Sequence, residues 1–140
     1  MTVRDTIFAE IEARLTPLAS EVEIEPAGDP VTLPALGITD AGHVVLEREA
    51  DLTRRLMTIT VDGFVDGAGG AAPTAERSAL LASVVAALMS DETLGGTVEL
   101  IEDGALRMFA AELADQRRLG FAQDFEIQFT TSRADPAEPA

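Results

Sequence analysis

Two stretches of strict period-two alternation constrain this chain more than any other feature. From Arg54 to Val65, Met57, Ile59 and Val61 fall on one face and Thr58, Thr60 and Asp62 on the other, with Leu56 the one apolar residue on the polar face. From Asp124 to Thr131, Phe125, Ile127 and Phe129 alternate with Glu126, Gln128 and Thr130. Such alternation, rich in β-branched and aromatic side chains, predicts strands with one face in a core and one toward water. A sheet with one apolar face must be covered, and two segments have the helical period to do so. The first runs from Thr2, a capping residue with Asp5 at capping-box spacing, through Phe8, Ile11, Leu15 and Leu18, and Pro17 ends regular helix near Thr16. The second runs from about Thr74, its expected cap, to Ser90. It has a stripe of Leu81, Val84, Val85 and Leu88, with Ala79, Ala82, Ala86 and Ala87 filling the rest.

The remaining text connects these elements. Glu21 to Glu25 alternates and predicts a short edge strand; Pro26, Gly28, Pro30 and Pro34 punctuate a connector in which Val31 to Leu36 lies extended on the surface. A turn is expected at Asp40-Ala41-Gly42, and Val44-Val45-Leu46 reads as a further strand. Gly67 to Pro73 reads as a flexible loop, and Gly95 or Gly96 suits the left-handed conformation that closes a helix. Thr97 to Glu102 predicts a strand, Asp103-Gly104 a turn, and Ala105 to Ala114 a segment whose alanines suit a helix as well. The order helix, strands, helix, strands is that of an α+β domain: a mostly antiparallel β-sheet with two amphipathic helices packed on one face. With 140 residues one domain is expected, over 1–132, followed by a mobile tail at 133–140 that has no core-forming residue.

Composition removes function classes. Asp and Glu total 25 against 10 basic residues, all Arg, for a net charge of -15, which opposes binding to duplex DNA or an anionic membrane. Cysteine is absent, so disulfides and thiolate metal sites are excluded. No apolar run approaches the ~20 residues of a membrane span, and Met1 to Asp5 leads into a helix without a signal-peptide stretch, so a soluble, intracellularly made protein is expected.

No constellation for catalysis emerges. His43 stands alone beside Gly42 and reads as a solvated turn residue; no serine lies in a nucleophile elbow. The clusters Glu47/Glu49/Asp51, Asp91/Glu92 and Glu99/Glu102/Asp103 match no calcium loop and read as solvated surface. Gly67, Gly69 and Gly70 lack the Gly-Lys-Ser/Thr of a phosphate loop, since the chain has no lysine, and the dinucleotide fingerprint fails at Ala72. No cofactor and no metal is expected. The doublets Arg54-Arg55 and Arg117-Arg118, each beside a predicted strand, are either isolated surface residues or contacts to acidic groups of a neighbouring subunit, where the guanidinium fork suits carboxylates.

The order of pieces resembles a family. An N-terminal amphipathic helix, a Pro-rich stretch carrying Leu33-Pro34-Ala35-Leu36, and a long strand ending in a Gly-rich loop come first. An Ala/Leu/Val helix closing on Asp91-Glu92-Thr93-Leu94-Gly95-Gly96 and a last strand Phe125 to Thr131 follow. Over about residues 3 to 136 this is similar to the tail terminator proteins of long, non-contractile-tailed phages. The resemblance implies a structural virion protein and no enzyme: a six-fold ring that caps the completed tail tube, stops its polymerisation and offers its other face to the head connector. The implied partners are copies of itself, the major tail tube protein and the head-tail connector or neck protein, with DNA only passing through the lumen and no membrane. The implied location is the virion tail or neck, assembled in the host cytoplasm. Ring contacts would fall to Arg54, Arg55, Arg117, Arg118, Gly67, Gly69 and Gly70, and to a free strand edge, either Glu21 to Glu25 or Asp124 to Thr131. The alternatives are a neck or head-closure adaptor of the same virion and a small carboxylate-dependent hydrolase.

Overall fold

The computed structural model describes every residue except Ala68 and Ala114, and its first helix begins where the capping residues place it. In α1 (Val3–Leu15) Thr2 Oγ1 accepts from the Asp5 N–H at 3.1 Å and Asp5 Oδ2 accepts from the Thr2 N–H at 2.9 Å. Two amides that a helix start leaves unpaired are thereby satisfied. Ile7, Phe8, Ile11 and Leu15 form its buried face, and Leu18, in a 3₁₀ turn at Thr16–Leu18, packs partly buried beside them.

Five strands and a second helix follow: β1 (Glu21–Ile24), β2 (Ala35–Arg48), β3 (Leu52–Asp66), α2 (Ala71–Met89), β4 (Leu100–Leu113) and β5 (Gln116–Ser132). They make one sheet in the order β1-β2-β3-β5-β4, with β1 parallel to β2 and every other pair antiparallel. The two alternating stretches lie side by side at its centre, Met57 opposite Ile127 and Ile59 opposite Phe125. Their apolar faces meet Ile7, Ile11 and Leu15 of α1 and Leu80, Val84 and Leu88 of α2 in one core. Phe121, Phe125 and Phe129 are almost wholly buried there, each worth about 1.5–3 kcal/mol of transfer free energy. The expected α+β architecture, two helices on one face of a mostly antiparallel sheet, is the observed one.

Several local expectations are corrected. Asp40-Ala41-Gly42 is no turn: β2 runs through it, with an irregularity between Asp40 and His43 where Gly42 adopts φ +88° and its N–H is taken by Asp40 Oδ1 at 2.8 Å. Both flanks pair with one long partner, β3, so turn chemistry yields a bulge instead of a reversal. His43 is therefore a strand residue, and Val44-Val45-Leu46 belongs to the same strand. Ala35 and Leu36, expected on the surface, are buried at the start of β2. Asp103-Gly104 repeats the pattern: β4 continues through it with a bulge between Asp103 and Leu106, because β5 holds both sides. The Ala-rich segment is thus strand; its end at Ala114 lies outside the described residues. The strand expected from Thr97 begins at Leu100.

In α2 the cap is Gly70 and not Thr74. Pro73 sits in the first turn, where its missing N–H costs nothing, and Thr74 Oγ1 donates to the Gly70 carbonyl at 3.1 Å. The Gly-rich loop is correspondingly shorter than expected, and its Ala68 lies outside the described residues. The buried stripe runs through Leu80, with Leu81 and Val85 partly buried, and the helix closes at Met89; Gly95 and Gly96 belong to the turn after it. Beyond β5 the chain folds back: Ser132 N–H donates to Glu138 O at 2.8 Å and Val3 N–H to Ala137 O at 3.0 Å.

Candidate assembly surfaces

The Gly-rich loop and the second arginine doublet, far apart in sequence, come together at one end of the β3–β5 pair. Gly67 N–H donates to the Arg117 carbonyl at 3.1 Å and Arg117 Nη1 to the Gly67 carbonyl at 3.3 Å. A Cβ on Gly67 would stand 2.5 Å from the Arg117 carbonyl oxygen, so only glycine fits this crossing. Arg118 is buried beside it, with Nη1 on Gln116 Oε1 at 2.9 Å and Nε unpartnered. Among the described residues neither Arg117 nor Arg118 has a carboxylate within ion-pair range.

The first doublet is at the other end of the same strands. Arg118 lies opposite Asp66 and Arg54 opposite Thr130, a separation of roughly 40 Å along the strand. Arg54 is engaged within the chain: its Nε and Nη2 fork onto Glu99 at 2.8 and 3.3 Å, and Nη1 reaches Glu47 at 2.7 Å. Arg54 and the Gln128 amide hold the Glu99 carboxyl below its ordinary range. Arg55, on the core side, donates to Thr131 Oγ1 at 3.2 Å and lies 3.1 Å from His43 Nε2. His43 is exposed yet stacks edge-on against Phe129; this partial desolvation, then the charges of Arg4 and Arg55, lower its pKa.

The face of the sheet away from the helices is acidic. Glu102 stands directly opposite Glu126, and Asp62 and Asp124 are close enough that each carries the same arginine's field. Arg107 forks onto both oxygens of Asp124 at 3.0 and 3.1 Å and Thr60 Oγ1 donates to it at 2.7 Å, which keeps Asp124 ionised. Burial pushes Asp62 the other way. In this face Leu46, Leu56 and Leu100 line a shallow depression, so Leu56, the apolar exception on the polar side of β3, has company from β2 and β4.

The sheet ends in two unlike free edges. The first is β1 and the part of β2 that β1 leaves uncovered, since β1 pairs only with Ala35 to Ile38. The second is β4. The last strand is no edge: β5 is paired on both sides, by β3 and β4, so the expectation that Asp124 to Thr131 offers a free edge is overturned, whereas Glu21–Ile24 is at an edge as expected. Of eight exposed large apolar residues, Ile24, Val44, Val45 and Leu46 lie on the first edge and Leu106 and Met108 on the second. The β2 part of the first edge and the whole of the second are hidden in the sequence by the turn signals inside β2 and β4, although their side chains are visible there.

No helix among the described residues is long and apolar enough to cross a membrane, and no three His, Cys, Asp or Glu side chains among them group as metal ligands. No family model matches the chain, and no curated protein matches it. A chain from the solved virion of a native gene transfer agent particle is similar over 91% of this chain and 92% of its own, at 14% identity and a TM-score of 0.30. A likeness this distant carries neither fold nor function across.

Proposed function

We propose that the chain is a structural virion subunit of the tail terminator kind, which closes into a ring on the end of the tail tube, stops its growth and offers the other side to the head connector. The observation that carries this reading is the sheet's asymmetry: two unlike edges on opposite sides, helices on one face, acids on the other. Unlike edges favour head-to-tail contacts, and such contacts give a ring when the rotation closes. With the helices outward, Asp62, Glu102, Asp124 and Glu126 line the lumen, where they repel passing phosphates.

Tail length tests the role. Particles assembled without this protein are expected to carry overlong tubes; tails of normal length lacking heads would identify a neck adaptor instead. The hydrolase alternative rests on Asp62 and Asp124, whose pKa values are displaced in opposite directions as an acid–base pair requires. Arg107 and Thr60 already occupy Asp124, which favours the structural reading. A thermal shift on addition of Mn²⁺ or Mg²⁺ would favour the hydrolase.

A further inference from the structure

We infer that the exposed half of β2, Ala41 to Arg48, pairs antiparallel with β4, Asp103 to Ala110, of a second copy of this chain, with Val45 opposite Leu106. The inference names the contact of the proposed ring and rests on that reading only for closure of the ring.

Strand polarity comes first. With β2, β3, β5 and β4 alternating in direction, β2 and β4 run oppositely. A neighbour's β2 laid against β4 therefore continues the antiparallel ladder. It also continues both faces, because Val45 and Leu106 each lie on the helix-covered side: Val45 is opposite Arg55, and Leu106 opposite Gln123, which pairs with Val61.

The two segments also match in detail. Every residue of β2 from Ala41 to Arg48 is exposed, and β4 is exposed from Glu102 through Met108. Exposed edges this long and this apolar are the feature that chains normally blunt. β2 has an irregularity at the start of this stretch, at Asp40/His43, and from His43 onward each edge carries a one-residue bulge, at Val45/Glu47 in β2 and at Asp103/Leu106 in β4. Setting Val45 opposite Leu106 brings the bulges to one level, so that neither breaks the ladder alone, and places Arg48 opposite Asp103, a charge complement that no same-edge pairing at this register offers.

The register also has the slant a closed sheet needs. Val45 is level with Arg55 and Leu106 with Val61, an offset of about 20 Å along the strands. Set against about 19 Å for four strand spacings, it inclines the strands by roughly 45°, within the range of closed sheets.

The chain has no cysteine, so the pairing can be read by disulfide trapping between single-cysteine variants. Val45→Cys and Leu106→Cys proteins are mixed at millimolar concentration in about 0.5 M salt and oxidised. The expected result is a 45–106 dimer in at least tenfold excess over 45–45 and 106–106 species, abolished by Val44→Pro in the first partner. Predominant 45–45 or 106–106 dimers, or no cross-link, overturn the pairing; the role on the tube then still stands or falls by tail length. Thermal midpoints check that each variant folds, and His43→Cys with Met108→Cys, which the same register sets opposite each other, replaces the pair if either does not.

Discussion

Asp91 sits where α2 gives way to the turn at 91–96, and its carboxylate replaces the backbone partners the helix no longer supplies. It accepts from the Gly95 N–H at 2.8 Å, the Thr93 N–H at 3.0 Å and the Thr93 hydroxyl at 2.9 Å, with Arg14 at 3.3 Å. These donors, Gly95 first, hold its pKa down to about 2. A carboxyl depressed on folding contributes stability that is complete above its unfolded value of about 3.9 and is lost as pH falls toward the folded value. Asp91→Asn is therefore expected to lower the thermal midpoint at about pH 6, with the gap to the parent protein narrowing between about pH 4 and pH 2. A gap of constant size across that window contradicts the account. Gly63 makes a different demand. A Cβ there would stand 2.1 Å from the Phe121 ring, which lies across the glycine from the neighbouring strand. Gly63→Ala forces that ring out of a filled core and is expected to cost about 1–3 kcal/mol in the denaturant midpoint.

Elements were legible where one local signal and the tertiary environment agreed. The capping box of α1 and the alternation of β3 and β5 needed nothing from elsewhere in the chain. Because the Thr2 hydroxyl accepts from the Asp5 N–H at the start of α1, Thr2→Ala is expected to lower stability by about 1 kcal/mol, measured by chemical denaturation, while Thr2→Ser leaves it close to the parent's. Legibility failed at Asp40-Ala41-Gly42 and Asp103-Gly104, which are written as turns and folded as bulges. What overrides the local signal is pairing on both flanks with β3 or β5, 15 and 17 residues long; a window of a few residues does not contain that partner. The same error hid the assembly edges, since a strand cut in two by a supposed turn has no long edge to present. The meeting of Gly67 with Arg117 is hidden for a related reason: both stand out in the sequence, but only the β3–β5 register brings positions fifty residues apart into contact.

At the scale of the whole molecule, charge and sheet edges act against each other. Each subunit carries -15, so a six-membered ring would hold roughly -90, and bringing copies together at low ionic strength meets mutual repulsion. The arginines give limited relief, because Arg4, Arg14, Arg54 and Arg107 are already paired with carboxylates of their own chain. Apart from Arg48 opposite Asp103, the edge contacts are apolar side chains and backbone hydrogen bonds, which salt weakens little, whereas repulsion between exposed charges shrinks as the Debye length falls from about 30 Å at 0.01 M to about 3 Å at 1 M. Self-association is therefore expected to strengthen with salt, the opposite of an assembly held by ion pairs. Sedimentation velocity at fixed protein concentration should show a monomer in about 0.01 M salt and a rising mean mass toward about 1 M. A tight hexamer at nanomolar concentration and low salt, or oligomers that dissolve as salt is added, would place the contact on the charged groups instead of the edges. On the proposed reading, a subunit with this balance would stay apart in dilute solution and assemble only where a tube end held several copies side by side.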